Sequence, residues 1–230
     1  MLKQLYSIIT YEEAVQTIDA GADHIGLVPM QDGGVPAHRV EHDLVDKIFD
    51  KCRERGVKTV AIMLNHDGQE IIDVCQRVKP DIVHFAGMDF TCDEDFATKI
   101  REACPGIEIM QAVLVDGPGA LDRAIEYSKF ADWILTDTGL APDTGIGASG
   151  ETHDWDIDKA IVEAVDTPVI MAGGLGPDNV EEAIRHVRPA GVDSLSRTSI
   201  KYDGGHMEKD IEKVRLFCER ADKAAAELER

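Results

Sequence analysis

Two neighbouring segments near the carboxyl terminus have the composition of a phosphate-binding site. The first reads AGGLGPDN over residues 172–179, and the second reads DSLSRTS over residues 193–199. Paired glycines let backbone N–H groups turn toward a ligand without a Cβ in the way, and serine hydroxyls add further donors. The residues predicted to hold a phosphate group are Gly173, Gly174, Ser194, Ser196 and Arg197. A tight turn without a ligand is the alternative for the glycines.

Polar side chains stand at the ends of several apolar runs. These candidates are Tyr6, Asn65, His66, His84, Gln111 and Asp137. Asp137 is the candidate general acid, because an aspartate in an enclosed apolar site can have its pKa raised enough to donate a proton. His66 titrates near neutrality and is a candidate base. The alternatives are a capping role for Asp137 and a plain loop role for His66.

A regular alternation of predicted strands and helices along the whole chain positions these residues. Short β-rich runs alternate with amphipathic stretches of helical spacing. The predicted strands are Leu5–Ile9, His24–Val28, Val57–Leu64, Asp81–Phe85, Ile107–Leu114, Asp132–Thr136, Pro168–Ala172 and Gly191–Ser194. Dividing 230 residues by eight gives about 29 per unit, close to the ~30 of a βαβ module. Eight such units predict one α/β domain over residues 1–230, a single eight-stranded parallel (βα)8 TIM barrel.

Local signals mark the ends of the helices. Thr10 and Glu13 form a capping box at the start of the first helix, and the last helix is predicted over about Glu208–Glu229. Two connections, 29–41 and 138–154, are longer than plain turns and follow strands. Barrel active sites are built on that face, so the glycines between Gly145 and Gly150 predict a lid, with a surface excursion as the alternative.

The composition excludes several classes of partner. Forty-four acidic and 24 basic residues give a net charge of −20, which repels nucleic acid and anionic membrane surfaces. No apolar run reaches the ~18 residues of a membrane span, and the first residues do not form a secretion signal. The five cysteines are scattered and predict free thiols in a reduced cytoplasm. We expect a cytoplasmic protein without metal or cofactor that binds a small phosphorylated metabolite and forms a homodimer.

Three segments carry a resemblance to a known family. They are AGGLGPDNVEEAIRHVRPAGVD at 172–193, GASGETHDW at 147–155 and EEAVQTIDAGADHIGLV at 12–28. They resemble phosphoribosylanthranilate isomerase, an enzyme of tryptophan biosynthesis with an eightfold barrel, and the resemblance covers essentially the whole chain. It implies an Amadori rearrangement of an aminated, phosphorylated ribose. An aspartate at the end of strand six then protonates the ring oxygen, and Asp137 occupies that position. A cysteine base removes the C2 proton.

Several positions depart from the pattern of that family. Tyr6 stands at the position of the cysteine base, and Ala86 at that of a histidine after strand four. His38 or Arg39 is the approximate counterpart of an arginine in the second loop, and Arg197 replaces a glycine. A phenol with a reference pKa near 10 is a poor base at neutral pH. The departures predict weak or no activity on the family's own substrate.

From these departures we predict that the protein catalyses a proton-transfer isomerisation of a different phosphorylated sugar derivative. Its catalytic residues are Asp137, Tyr6 and His66, and its predicted substrate-binding residues are His84, Gln111 and Arg39. Three other readings stay open: a Schiff-base aldolase, for which only Lys201 lies near the required place, a metal-dependent epimerase, and a catalytically inactive barrel that binds a phosphorylated ligand.

Overall fold

Eight barrel strands alternate with eight helices in the computed structural model, which describes residues 1–31, 38–64, 67–87, 90–141, 145–146, 151–203 and 207–228. The barrel strands are β1 Leu2–Leu5, β2 His24–Pro29, β3 Lys58–Met63, β4 Ile82–Phe85, β5 Glu108–Leu114, β6 Trp133–Asp137, β7 Val169–Met171 and β8 Gly191–Ser194. The helices are α1 Tyr11–Asp19, α2 His42–Arg55, α3 Gly68–Val78, α4 Glu94–Ala103, α5 Gly119–Tyr127, α6 Trp155–Ala164, α7 Val180–Val187 and α8 Ile211–Leu228.

The strands close into a ring of parallel neighbours. Each strand from β2 to β8 pairs with the one before it, and β1 also pairs with β8. In β1, Leu5 lies opposite both Ile25 of β2 and Ser194 of β8, so no edge strand remains at this point. The predicted (βα)8 TIM barrel is therefore confirmed.

The first strand lies earlier in the chain than its sequence predicts. The predicted range was Leu5–Ile9, whereas β1 ends at Leu5. Ser7 adopts the left-handed conformation with a φ of 58°, which stops a strand from continuing. The bounds of the other seven predicted strands are confirmed to within one residue at each end.

A cap explains where the first helix begins, and a short hairpin explains where the last one begins. The Oγ1 atom of Thr10 accepts a hydrogen bond from the N–H of Glu13 at 3.1 Å, as the capping box predicts. The carboxylate of Glu13 reaches back to the N–H of Ile9 at 2.9 Å, one residue before the cap. The last helix starts later than predicted because Met207–Lys209 forms an antiparallel pair with Ser199–Lys201.

The apolar side chains form two layers because strand residues alternate between the two faces of the sheet. The outer layer lies between the strands and the helices and includes Ile25 and Ile134. The inner layer fills the barrel and includes Tyr6, Met110 and Leu135. This alternation decides which side chains at the strand ends face the interior.

The two long connections are only partly described. Arg39–Val40 forms a short strand that pairs with the end of β2, and Leu140–Ala141 pairs with Gly145–Ile146. The predicted lid glycines beyond Ile146, and the candidate base His66 with Asn65, lie outside the described residues. All five cysteines are free thiols, as predicted.

Candidate active site

A cavity opens at the carboxyl end of the barrel between β6, β7 and β8. It is lined by Asp137, Gly173, Gly174, Leu175, Asp193, Ser194, Leu195 and Ser196. The structure therefore brings together the predicted acid and four of the five predicted phosphate-binding residues. They meet because carboxyl ends of parallel strands lie on one face, where barrels of this type build their active sites.

The glycine turn after β7 has no room for a side chain at Gly173. Gly173 and Gly174 have φ angles of 80° and 61°, a region that favours glycine. A Cβ on Gly173 would lie 2.4 Å from Oγ1 of Thr138 and 2.6 Å from Nδ1 of His153. Asn179 ties the turn to the next helix, because its Oδ1 accepts from the N–H of Gly176 at 2.8 Å.

The segment after β8 forms the other wall of the cavity. The hydroxyl of Ser194 donates to the carbonyl of Leu175 at 2.7 Å, which fastens this wall to the glycine turn. Ser196–Thr198 is one turn of 3-10 helix. The guanidinium of Arg197 pairs with the carboxylate of Asp178 at 3.0 Å, on the outer side of this segment.

Asp137 has the electrostatic environment of an acid. Burial raises its pKa from 3.8 to about 6, although backbone N–H groups of Thr138 and Gly173 and the nearby His153 oppose the shift. The N–H of Thr138 donates to Oδ1 at 2.7 Å, which fixes the carboxyl at the cavity. A carboxyl with a pKa near 6 keeps a protonated fraction at neutral pH and can act as a general acid.

A buried hydrogen-bond network behind Asp137 was not predicted from the sequence. Nδ1 of His153 contacts Oγ1 of Thr138, and its Nε2 contacts a carboxylate oxygen of Asp158. The other oxygen of Asp158 accepts from the hydroxyl of Thr136. The side chains of His153 and Asp158 are 4% and 0% exposed. The motif GETHDW, which contains His153, is the sequence signal for this network.

Tyr6 and His84 meet inside the barrel. The Tyr6 hydroxyl lies 2.7 Å from Nδ1 of His84, and the two rings stack with centroids 5.4 Å apart. Burial raises the pKa of Tyr6 well above 10 and lowers the pKa of His84 to about 3. The phenol therefore keeps its proton and the imidazole is neutral at pH 7. The role of Tyr6 as a base stays a prediction without support from this geometry.

None of the three predicted substrate-binding residues is in the lining of this cavity, and His84 lies inside the barrel beside Tyr6. Gln111 is buried on the outer face of β5, where its amide donates to the carbonyl of Phe85 at 3.4 Å and its oxygen accepts from the N–H of Cys92 at 3.3 Å. Arg39 is half-buried beside Val28, at the end of β2. Their substrate contacts stay predictions, and the structure does not place them in the wall of the cavity that contains Asp137.

Asp193 and Lys209 are two buried charged residues that sequence reasoning did not single out. Asp193 lines the cavity and is 4% exposed. The Nζ atom of Lys209 donates to the carbonyl of Leu195 at 3.3 Å and to the hydroxyl of Ser199 at 3.1 Å. Burial lowers the pKa of Lys209 to about 8. This lysine supports the β8 wall from below, whereas Lys201 is exposed on the hairpin.

Among the described residues, no group of three or more histidine, cysteine, aspartate or glutamate side chains is arranged to hold a metal ion. Within the same residues, no helix is long and apolar enough to cross a membrane.

Comparison with known proteins places the chain close to one group of enzymes. A family model described as N-(5'-phosphoribosyl)anthranilate (PRA) isomerase matches residues 10–220. The N-(5'-phosphoribosyl)anthranilate isomerase of Haloferax volcanii is 34% identical over 217 residues, which cover 94% of this chain and 91% of that protein. The crystal structure of the isomerase from Thermotoga maritima has 26% identity and a TM-score of 0.78, and the match covers 97% of this chain and all of that one.

A second structure from Thermotoga maritima concerns the oligomeric state of that isomerase. It is described as mutually generated monomers of a dimeric isomerase, and it matches at 25% identity with a TM-score of 0.75. The match covers 97% of this chain and 100% of that chain.

Proposed function

The chain belongs to the N-(5'-phosphoribosyl)anthranilate isomerase family, and from this premise we propose that it isomerises N-(5'-phosphoribosyl)anthranilate with Asp137 as the general acid. Membership makes the protein an intramolecular oxidoreductase, an isomerase that moves hydrogen within one substrate molecule. The homodimer expected from the sequence is part of the same proposal, since one relative is described as dimeric.

The observation that carries the proposal is the position of Asp137 in the cavity. Its carboxyl is anchored by the N–H of Thr138 and faces the same space as the paired glycines. With a pKa of about 6, it donates a proton to the ring oxygen of the substrate. The C1–O bond then opens and its electron pair goes to that oxygen, while the nitrogen lone pair forms a C=N bond at C1.

The glycine turn and the β8 wall are proposed to hold the phosphate of the substrate. Gly173 and Gly174, whose left-handed φ angles favour glycine, place no side chain in the cavity, and Ser194 fastens the two walls together. A phosphate held in this way fixes the far end of the sugar. Binding energy from that end then positions the ring oxygen and C2 for reaction.

The identity of the substrate rests on the family rather than on the cavity. The expectation of a different phosphorylated sugar depended on Tyr6 together with the other departures from the family pattern, and the comparisons give it no support. Tyr6 and His66 stay predicted bases for the removal of the C2 proton. Tyr6 keeps its proton inside the barrel, and His66 lies outside the described residues.

Complementation tests the proposal. The gene is expected to restore growth of a tryptophan-requiring host that lacks this isomerase, and the purified protein to turn over the anthranilate ribonucleotide. Asp137→Asn should lower turnover by ~10²–10⁴, the usual range for a lost acid. Asp122→Asn, an exposed aspartate on α5, is the matched control and should leave turnover unchanged. Failure of the wild-type protein in both assays would refute the proposed substrate.

A further inference from the structure

We propose that Lys209 supplies the buried positive charge on which the affinity of the β8 wall for a phosphate group depends, and that it acts through the peptide between Leu195 and Ser196 without touching the substrate. The inference rests on the proposed function and adds a residue to its phosphate site. Lys209 is a positioning residue in this role. The hairpin of Ser199–Lys201 and Met207–Lys209 places it beneath the segment that follows β8.

The ammonium group of Lys209 is buried and bonded to neutral oxygen atoms. The residue is 7% exposed. Within the described residues, its Nζ atom donates to the carbonyl of Leu195 at 3.3 Å and to the hydroxyls of Thr198 and Ser199 at 3.3 Å and 3.1 Å. Removing a charged group from water without an ion pair is costly. The fold therefore keeps an uncompensated cation beneath the cavity wall, and a bound anion would offset its cost.

The carbonyl of Leu195 connects this cation to the cavity. It accepts from Nζ of Lys209 and also from the hydroxyl of Ser199 at 2.7 Å, so it points toward the hairpin. The peptide bond that follows is trans, and in a trans peptide the N–H points away from the carbonyl. The N–H of Ser196 is therefore turned away from the lysine, and both Leu195 and Ser196 line the cavity with the paired glycines.

Two carboxyl groups face Lys209 from neighbouring elements, and within the described chain neither forms an ion pair with its ammonium group. Glu13 of α1 uses its carboxylate to accept from the backbone N–H groups of Lys209 and Ile9. Burial raises the pKa of Asp193 of β8 well above 3.8, which weakens that carboxyl as a counter-ion. Other charged groups near the hairpin form ion pairs of their own, Arg197 with Asp178 and Asp210 with Lys213.

Lys209 carries its charge at neutral pH although it is buried. Burial lowers its pKa to about 8, while the charges of Glu13 and Asp193 oppose the shift. At pH 7 about nine-tenths of the molecules therefore hold the cation. Charges attract each other more strongly where water is excluded than at an exposed surface. A dianion at the β8 wall thus gains more from this lysine than from any exposed one.

Sulfate is the probe for the binding experiment, because it is a dianion that does not titrate near neutrality. Lys209→Met keeps the length of the side chain and removes its charge, so calorimetry at pH 7 should show sulfate binding about tenfold to hundredfold weaker than in the wild type. Lys209→Gln keeps hydrogen-bond donors without the charge and should lose a similar factor. Lys213→Met, exposed on α8, is the matched control and should stay within about threefold of the wild type.

Two results of this comparison would overturn the inference. One is a loss in Lys209→Met that Lys209→Gln restores, because the lysine would then be a structural tie whose charge is irrelevant. The other is an unchanged sulfate affinity in both variants. Turnover gives a second readout, since a phosphate held equally in the substrate and the transition state affects KM alone. Lys209→Met should raise KM and keep kcat within about threefold, and a lower kcat at unchanged KM would contradict the proposal.

The wild-type protein tests the same charge without a substitution. A tenfold preference of sulfate for the charged lysine raises its pKa by one unit, so binding at pH 8.5 should take up about half a proton. Calorimetry in buffers of different ionisation enthalpy measures this uptake, and Lys209→Met should abolish it. Sulfate binding by the wild type without proton uptake at pH 8.5 would refute the role of the lysine charge, even if the variants fail to fold.

Sulfate binding also distinguishes failure of this inference from failure of the proposed function. Equal binding by the wild type and Lys209→Met would refute the inference and leave the proposed phosphate site intact. Binding that depends on Lys209, in a protein that does not turn over the anthranilate ribonucleotide, would support the inference and refute the proposed substrate. A wild-type protein that binds no sulfate would refute both the phosphate site and the role of Lys209.

Discussion

Replacing Gly26 by alanine tests how Tyr6 is packed inside the barrel. Gly26 lies in the middle of β2, which is hydrogen-bonded to β1 on one side and β3 on the other. A Cβ at this position would lie 1.8 Å from Cδ1 and 1.9 Å from Cε1 of Tyr6. Because strands on both sides hold the backbone, the tyrosine ring has to move instead.

The expected cost of Gly26→Ala has two parts. Overpacking a filled interior costs ~1–3 kcal/mol, and a displaced Tyr6 leaves its hydroxyl and His84 unpaired at a further ~1–3 kcal/mol. We therefore expect the free energy of unfolding to fall by about 2–6 kcal/mol. Gly119→Ala is the control, because its Cβ meets only the end of Arg123 at 3.5 Å and should be neutral or slightly stabilising.

A double-mutant cycle with Tyr6→Ala identifies the cause. Tyr6→Ala alone should cost ~3–5 kcal/mol through the cavity that it leaves. In that background the added methyl of Gly26→Ala meets empty space, so the two costs should fall short of additivity by about 2 kcal/mol or more. The measurement is urea unfolding followed by far-UV circular dichroism. Additive costs, or a Gly26→Ala effect within about 0.5 kcal/mol of zero, would refute the packing argument.

Three further predictions concern the site and its surroundings. Gly173→Ala forces a Cβ onto Thr138 and a left-handed backbone onto alanine, so inorganic phosphate should no longer raise its melting temperature; a preserved rise would place the anion elsewhere. The folded-state pKa values of His24 and His84 are about 4 and about 3, below the reference 6.5 of the unfolded chain. The unfolded state therefore binds more protons below pH 6.5, and stability should fall by up to about 2 kcal/mol for each histidine between pH 6.5 and pH 5, as urea midpoints would show. His24→Gln should flatten that slope, and an equal slope would assign the pH dependence to other groups. Tyr6→Phe should keep turnover within about threefold because the phenol stays protonated, whereas a loss of ~10²–10⁴ would establish Tyr6 as the base.

Local sequence signals determined the order and the bounds of the elements. The eightfold alternation and the Thr10 capping box act over a few residues, so they can be read without knowledge of the rest of the fold. Gly173 and Gly174 were predictable for the same reason, since their left-handed φ angles require glycine in that turn. The location of the cavity followed from the rule that parallel barrels build their sites at the carboxyl ends of strands.

The sequence did not predict which strand side chains face the interior of the barrel. Barrel strands are apolar on both faces, so their sequences are nearly continuous apolar runs that do not reveal which residues face the interior. Gln111 shows the consequence, because it was predicted to contact substrate but lies on the outer face of β5, between the inward-facing Met110 and Ala112. Ser7 shows another, since its left-handed φ ends β1 early in a segment that reads as strand.

The contacts that give the site its chemistry join residues far apart in the chain, and only tertiary structure decided them. Tyr6 meets His84 across 78 positions, and Asp137 and Asp193 line one cavity only once β6 and β8 take their places in the closed barrel. Lys209 lies beneath the β8 wall because a hairpin folds it there. The shifted pKa values of Tyr6, His84 and Lys209 arise from burial among residues that distant parts of the chain supply. The sequence alone therefore determined the scaffold and the residue types at its ends, whereas ring closure decided which of them share an interior and which carry protons there.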